Sequence, residues 1–160
     1  MSTTNEYADR AITLVLRLEG EETNDPDDPG GRTKYGLTQR TYPEIDFNAL
    51  TEIQARAIYK VEWWDKYGYA QLPGAIAVLL FQLAVNIGPA TAHSLLQRAL
   101  ADLGLPVQTD GILGPVTVKS AHDYQYPDVL EMMIRSSAIE RYRRLGKPRF
   151  LAGWVRRAMA

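Results

Sequence analysis

The sequence predicts a mainly α-helical fold of about six to eight helices. Three observations carry that prediction. Apolar residues recur at i, i+3 and i+4 through most of the 160 residues. The periodic segments are bounded by capping residues, glycines and prolines of the kinds that start and stop helices. And no alternating run of five or more residues reads as a strand, although residues 31–37 could hold one short β-hairpin. A chain of this length can bury a real core as one compact body.

Taken in order, Thr3 and Glu6 have the capping-box spacing. Ala8, Ala11, Ile12, Val15 and Leu16 then follow the helical period, which continues onto Glu19 before Gly20 stops it. Thr51 with Gln54 opens a second helix through Ile53, Ala57, Ile58 and Val61 to Trp63 and Trp64. Pro73 suits the first position of a third helix, Ala75 to about Ile87, apolar nearly all round and so expected at the centre. Gly88-Pro89 breaks it. A fourth helix runs from Ala90 to Leu103, and the stretch from Thr109 to Pro115 is a turn. Pro115 starts a short helix to about His122, Pro127 a long one to Leu145, and a last helix carries Phe150, Leu151, Trp154 and Val155. The expected organisation is a region 1–90 and a region 91–160 packed against it.

The net charge of −1 argues against a nucleic-acid partner, but it hides an uneven distribution. Residues 1–50 carry ten acids against five bases. Residues 131–160 carry two acids, Glu131 and Glu140, against Arg135, Arg141, Arg143, Arg144, Lys147, Arg149, Arg156 and Arg157. That end suits an anionic polymer, or is simply a solvated helix face. With no cysteine, thiolate catalysis, disulfides and sulfur-ligated metals are excluded. His93 and His122 lack ligand spacing and are expected as partly exposed helix residues, so no metal or organic cofactor is anticipated. The N-terminus lacks a signal-peptide layout, and the most apolar window, Ala75 to Val85, is too short to span a bilayer. Synthesis in the cytoplasm without an export address, and no stable membrane insertion, are the expectations.

What remains is carboxylate chemistry. Glu19, Glu21, Glu22, Asp25, Asp27 and Asp28 are packed into one loop, followed by Pro29, Gly30 and Gly31. The prolines and the missing terminal Glu argue against a calcium loop. Glu19 continues the buried face of the first helix, and a carboxyl among apolar side chains at a helix C-terminus keeps its proton more readily. Asp25 and Asp28, in a polar setting, stay ionised. One raised and one ordinary carboxyl is the pairing glycoside hydrolysis needs. The alternative is a helix-terminal Glu paired with Arg17, Arg32 or Arg40, and an Asp/Pro/Gly turn after it. Trp63, Trp64, Tyr67 and Tyr69 could stack on sugar rings or belong to the core. Tyr35, near the far end of the loop, and Trp63 are the aromatic substrate-binding candidates. Asn86 interrupts an apolar helix and faces either a cleft or a backbone group.

The run Glu19-Gly20, Asn24-Asp25-Pro26, Asp28, Gly30-Gly31, Thr33 and Gly36 resembles the signature of glycoside hydrolase family 108, phage endolysins and bacterial muramidases that cut peptidoglycan. Leu72-Pro73-Gly74 and Phe81 through Gly88 resemble that family's central helix. Asp110-Gly111-Ile112-Leu113-Gly114-Pro115-Val116-Thr117 and Phe150-Leu151-x-Gly153-Trp154 resemble its C-terminal peptidoglycan-binding region. The resemblance implies a lysozyme-like fold with Glu19 as catalytic acid, Asp25 or Asp28 as its partner and Thr33 positioning water. It also implies contact of Asp110 with the glycan. Glu21 and Glu22 depart from the family's usual Gly and aromatic. The expected activity is an N-acetylmuramidase on peptidoglycan strands, or a lytic transglycosylase, or a non-catalytic wall-binding or phage structural protein. A monomer is expected, released to the periplasm by a separately encoded holin.

Overall fold

A computed structural model describes residues 3–19, 22–23 and 32–160, with side chains from residue 5 to 18 and from 32 onward. Within these there are seven α-helices, one of them central: α1 (Thr3–Glu19), α2 (Glu52–Ile58), α3 (Gly74–Ile87), α4 (Pro89–Asp102), α5 (Pro115–Asp123), α6 (Pro127–Arg144) and α7 (Pro148–Met159). Three two-residue strands, β1 (Glu22–Thr23), β2 (Thr33–Lys34) and β3 (Leu37–Thr38), form an antiparallel sheet in that order. Thr33 faces Thr23 on one side and Thr38 on the other.

The centre is α3, as its all-round apolarity demands. Every residue from Ile76 to Ala84 is buried, and α1, α4, α6 and α7 pack around it. The expected first position for Pro73 is corrected: it stands one residue ahead of the helix in an extended conformation, φ −52° and ψ 134°. Helices α4 to α7 do begin on proline, at 89, 115, 127 and 148, where the missing N–H has no intrahelical partner to lose. The predicted capping box of α2 is formed: the Gln54 N–H donates to the Thr51 hydroxyl, and the Thr51 N–H to the Gln54 side chain at 2.8 Å.

Helix α2 does not continue as an α-helix. Residues Tyr59–Asp65 are π-helical, with the Lys66 N–H donating to the Val61 carbonyl five residues back. Residues five apart therefore share a face, and Tyr59 and Trp64 are both core, at 0% and 1% exposure. Trp63 is displaced to the half-buried edge. Phe81 of α3 is enclosed by Tyr59, Trp64 and Tyr69, with ring centroids 5.6–6.1 Å away.

His93 departs from its expectation of partial exposure. It is 3% exposed, because α4 packs its His93 face onto Tyr69 and onto the turn at Gly111. The imidazole sits between the Tyr69 hydroxyl at 3.0 Å and the Gly111 carbonyl at 2.9 Å, so Nδ1–H donates to the carbonyl and Nε2 accepts from the phenol. The last helix is held by two side chains that receive its final carbonyls. Gln82 of α3 donates to the Arg157 carbonyl, and Arg135 of α6 to that of Ala158. Trp154 of α7 stacks on Tyr142 of α6 at 5.4 Å.

Candidate active site

Helix α1 delivers the first candidate. Gly74, at the start of α3, lies against the Tyr7 ring, and Leu14 and Arg17 line a groove with Leu79 and Gln82 further along. The two helices thus run side by side in the same direction. Glu19 is the last residue of α1, and Asn86 stands in the last turn of α3. Ala8, Ala11, Ile12 and Val15 are all buried, so the stripe whose phase points to Glu19 is the core face of α1. The Glu19 side chain lies outside the described residues, as do Asp25, Asp28, Glu21 and the side chain of Glu22.

The sheet follows α1 directly and carries Thr33. Thr33 is half-buried and sits in the middle strand, paired on both edges. Beyond it the chain reverses through Tyr35 and Gly36, at φ 55° and 78°, with Lys34 opposite Leu37. Positive φ at both central residues is the hairpin turn that matches strand twist. Gly36 adopts it freely, whereas Tyr35 needs an external hold. Buried Tyr59 supplies one, donating its hydroxyl to the Tyr35 carbonyl at 3.1 Å. Lys34 adds a bond to the Phe47 carbonyl at 3.2 Å, and Arg32 one to the Asn48 side chain at 2.7 Å. The sheet is therefore fixed to the aromatic core from behind. The Tyr35 ring stays half-buried with the Lys34 ammonium 5.6 Å above it.

Asn86 is half-buried, and its Oδ1 accepts the Tyr142 hydroxyl at 3.0 Å. Its partner is thus a side chain of α6, neither a backbone group nor solvent alone, and its amide NH2 has no partner among the described residues. Trp63 is half-buried, donating Nε1–H to the Tyr42 hydroxyl at 3.1 Å. Burial raises the Tyr42 phenol above its ordinary range, offset by the Trp63 bond, with Glu62 and Glu44 pushing it up further. Tyr59, Trp63 and Tyr67 form a ladder with centroids 6.2 Å apart. Of the four aromatics in this stretch, Trp64 and Tyr69 are core while Trp63 and Tyr67 keep an accessible edge.

Asp110 belongs to a second cluster. Its Oδ1 accepts the Ile112 N–H at 2.9 Å and the Gln97 Nε2 at 2.7 Å, which hold its carboxyl below the usual range. Gln97, 1% exposed, also reaches the Ile112 carbonyl and Thr117, and its Oε1 accepts the Gly111 N–H at 2.8 Å. One oxygen of Asp110 thus organises the turn and the other remains exposed. The polar partners Tyr142 and Gln97 do not stand out in the sequence. Their signal is a polar group on a buried helical stripe: Tyr142 four residues after Ala138, and Gln97 four after His93. Among the described residues no group of three or more His, Asp or Glu side chains is placed to hold a metal ion.

A half-buried strand threonine, an asparagine amide, two aromatic edges and a helix that ends on a glutamate are groups suited to a polar polymer. The comparisons agree with that chemistry. Residues 12–88 match the glycosyl hydrolase 108 family, and residues 86–159 match the predicted peptidoglycan domain. No curated protein matches the chain. Among solved structures, Brucella abortus SagA is similar at 23% identity and a TM-score of 0.76, over 97% of this chain and 95% of that one, which shows a shared fold. The chain carries a glycosyl hydrolase 108 match in its N-terminal part and a predicted peptidoglycan domain match in its C-terminal part, and is a glycosidase-type peptidoglycan hydrolase.

Proposed function

We propose that the protein is an N-acetylmuramidase that hydrolyses the β-1,4 bond between N-acetylmuramic acid and N-acetylglucosamine. Glu19, protonated, donates to the glycosidic oxygen as the bond from C1 breaks. The carboxylate of Asp25 or Asp28 stabilises the oxocarbenium-like sugar, and a water held by Thr33 attacks C1, its proton returning to a carboxylate. Asn86, Tyr35, Trp63 and the free oxygen of Asp110 hold the strand. No metal or organic cofactor takes part. The observation that carries this reading is that α1 buries Ala8, Ala11, Ile12 and Val15 and ends on Glu19. A helix C-terminus disfavours the carboxylate form there, which suits a general acid.

The protein acts as a monomeric endolysin. It is made in the cytoplasm of a host cell and reaches the wall through a lesion formed by a separately encoded holin. The role rests on the enzymatic class.

Turbidity loss of purified sacculi tests the acid. Glu19→Gln is expected to lower the rate by at least about a hundredfold with an unchanged circular dichroism spectrum. A folded, fully active Glu19→Gln would sink the assignment. Mass spectrometry of the released fragments tests the reaction. Reducing muramic-acid ends mean hydrolysis, whereas 1,6-anhydro ends would make the protein a lytic transglycosylase. Asp25→Asn and Asp28→Asn, assayed side by side, identify the second carboxylate by which of them loses activity. Binding to sacculi with no fragments from the wild type would leave a wall-binding protein.

A further inference from the structure

The corner where α6 turns into α7 is the most strongly charged exposed surface among the described residues. From 141 to 150 the chain carries Arg141, Arg143, Arg144, Lys147 and Arg149, all exposed, and no acid. Arg144 is engaged by Glu140 at 3.0 Å, and Arg149 lies over the Phe150 ring at 5.4 Å. Arg141, Arg143 and Lys147 have no acidic partner among the described residues. The charge is strongest at this tip, since the groove that adjoins it, between α4 and α6, sets Asp102 and Glu140 against Arg98, Arg141 and Arg144.

Two large apolar side chains stand among these cations. Leu145 and Phe150 are each 47% exposed, one closing α6 and the other in the first turn of α7. A catalytic or structural role explains neither. Phe150 is braced from behind by Trp154, stacked at 5.7 Å, which in turn rests on buried Tyr142. The tip is therefore cationic, with two exposed apolar side chains among the cations. That combination suits a plane of anionic headgroups, where cations meet phosphates and short apolar groups enter the interface.

We propose that this corner is a docking surface for a bilayer rich in anionic phospholipid, with Arg141, Arg143, Lys147 and Arg149 on the headgroups and Leu145 and Phe150 at the acyl boundary. It is peripheral attachment: no described helix is long and apolar enough to cross a membrane. The proposal uses none of the residues assigned to glycoside cleavage, so the corner would hold the enzyme at a membrane facing the wall without taking part in the reaction.

Co-sedimentation of the full chain with vesicles tests this. The wild type is expected to bind vesicles of phosphatidylglycerol in phosphatidylethanolamine at low salt. It should release in high salt and ignore vesicles of phosphatidylcholine alone. Each base removed is expected to weaken partitioning roughly fivefold, so Arg141→Ser/Arg143→Ser/Lys147→Ser/Arg149→Ser should abolish it. Leu145→Ser should weaken binding even at low salt. All five replaced side chains are exposed, so the variants keep the fold and the activity on soluble glycan fragments, which separates this test from that of Glu19. Equal binding to both vesicle types, or unchanged binding by the quadruple variant, would overturn the proposal. So would a wild type that binds only sacculi and a quadruple variant that does not, which would assign the corner to a wall polymer.

Discussion

Gln97 shows how much of this fold hangs on single buried polar groups. It is 1% exposed, yet every polar atom of its amide is used, tying α4 to the turn at 110–112 and to Thr117 of α5. A buried donor or acceptor left alone costs far more than its hydrogen bond contributes net. Gln97→Leu, similar in size, would orphan the Gly111 N–H and leave the Ile112 carbonyl with the Gly114 N–H alone. The expected loss is about 2–4 kcal/mol, read as a lowered denaturation midpoint; a midpoint equal to wild type's would contradict it. Gly111 is locked to the same spot, since a Cβ there would lie 2.8 Å from the Ala90 carbonyl and φ is 76°. The turn itself is legible from Asp110-Gly111, but its anchor is not. In sequence Gln97 is one polar residue on an otherwise apolar stripe, and the groups it bonds lie 13 to 20 residues away. The expectation for Glu19 has the opposite basis, the phase of four buried residues within its own helix. Asp25 and Asp28 have no period to place them, so sequence leaves them rivals.

At the scale of elements, helix starts and stops were the most readable features, because capping boxes and first-turn prolines act within a few residues. The π-helical segment was not readable. An α-helical period through Tyr59 makes Trp63 its buried neighbour, whereas bonds reaching five residues back give that place to Trp64. Phe81 enforces the choice by packing against Tyr59 and Trp64 together, a tertiary effect with no local mark. Helix α7 is equally dependent on its surroundings. At 12 residues it is too short to be stable alone, and it is held by the Trp154 stack and by the carbonyl contacts of Gln82 and Arg135. Arg135→Met keeps the aliphatic packing but removes the donor to Ala158. Amide hydrogen exchange in the last turn of α7 should rise several-fold, while that of α3 stays as in wild type. Unchanged protection in the last turn would show that stacking alone holds the helix.

Across the whole molecule, the two regions matched by different families are joined around His93. The imidazole, in the C-terminal region, bridges Tyr69 of the N-terminal region and the turn at Gly111, with the Tyr67 ring 5.9 Å away. Burial lowers its pKa from the ordinary 6.5, partly offset by the Gly111 carbonyl; burial also pushes Tyr69 up, Tyr67 adding to it. The consequence for stability has a definite sign. Above 6.5 both folded and unfolded chains hold a neutral histidine, and the contribution is complete. As pH falls below 6.5 the unfolded chain takes up a proton that the folded chain refuses, so stability is lost until the lower folded value is passed. Nothing else in the bridge compensates, because both partners of His93 are uncharged. The melting temperature should therefore fall as pH drops from about 7 to about 5, and the two regions should melt together. His93→Gln, which can still donate to the Gly111 carbonyl, should lower the melting temperature at pH 7 and flatten that slope. An identical pH slope in wild type and His93→Gln would place the acid sensitivity elsewhere, and two separate transitions would show that the His93 bridge does not couple the halves.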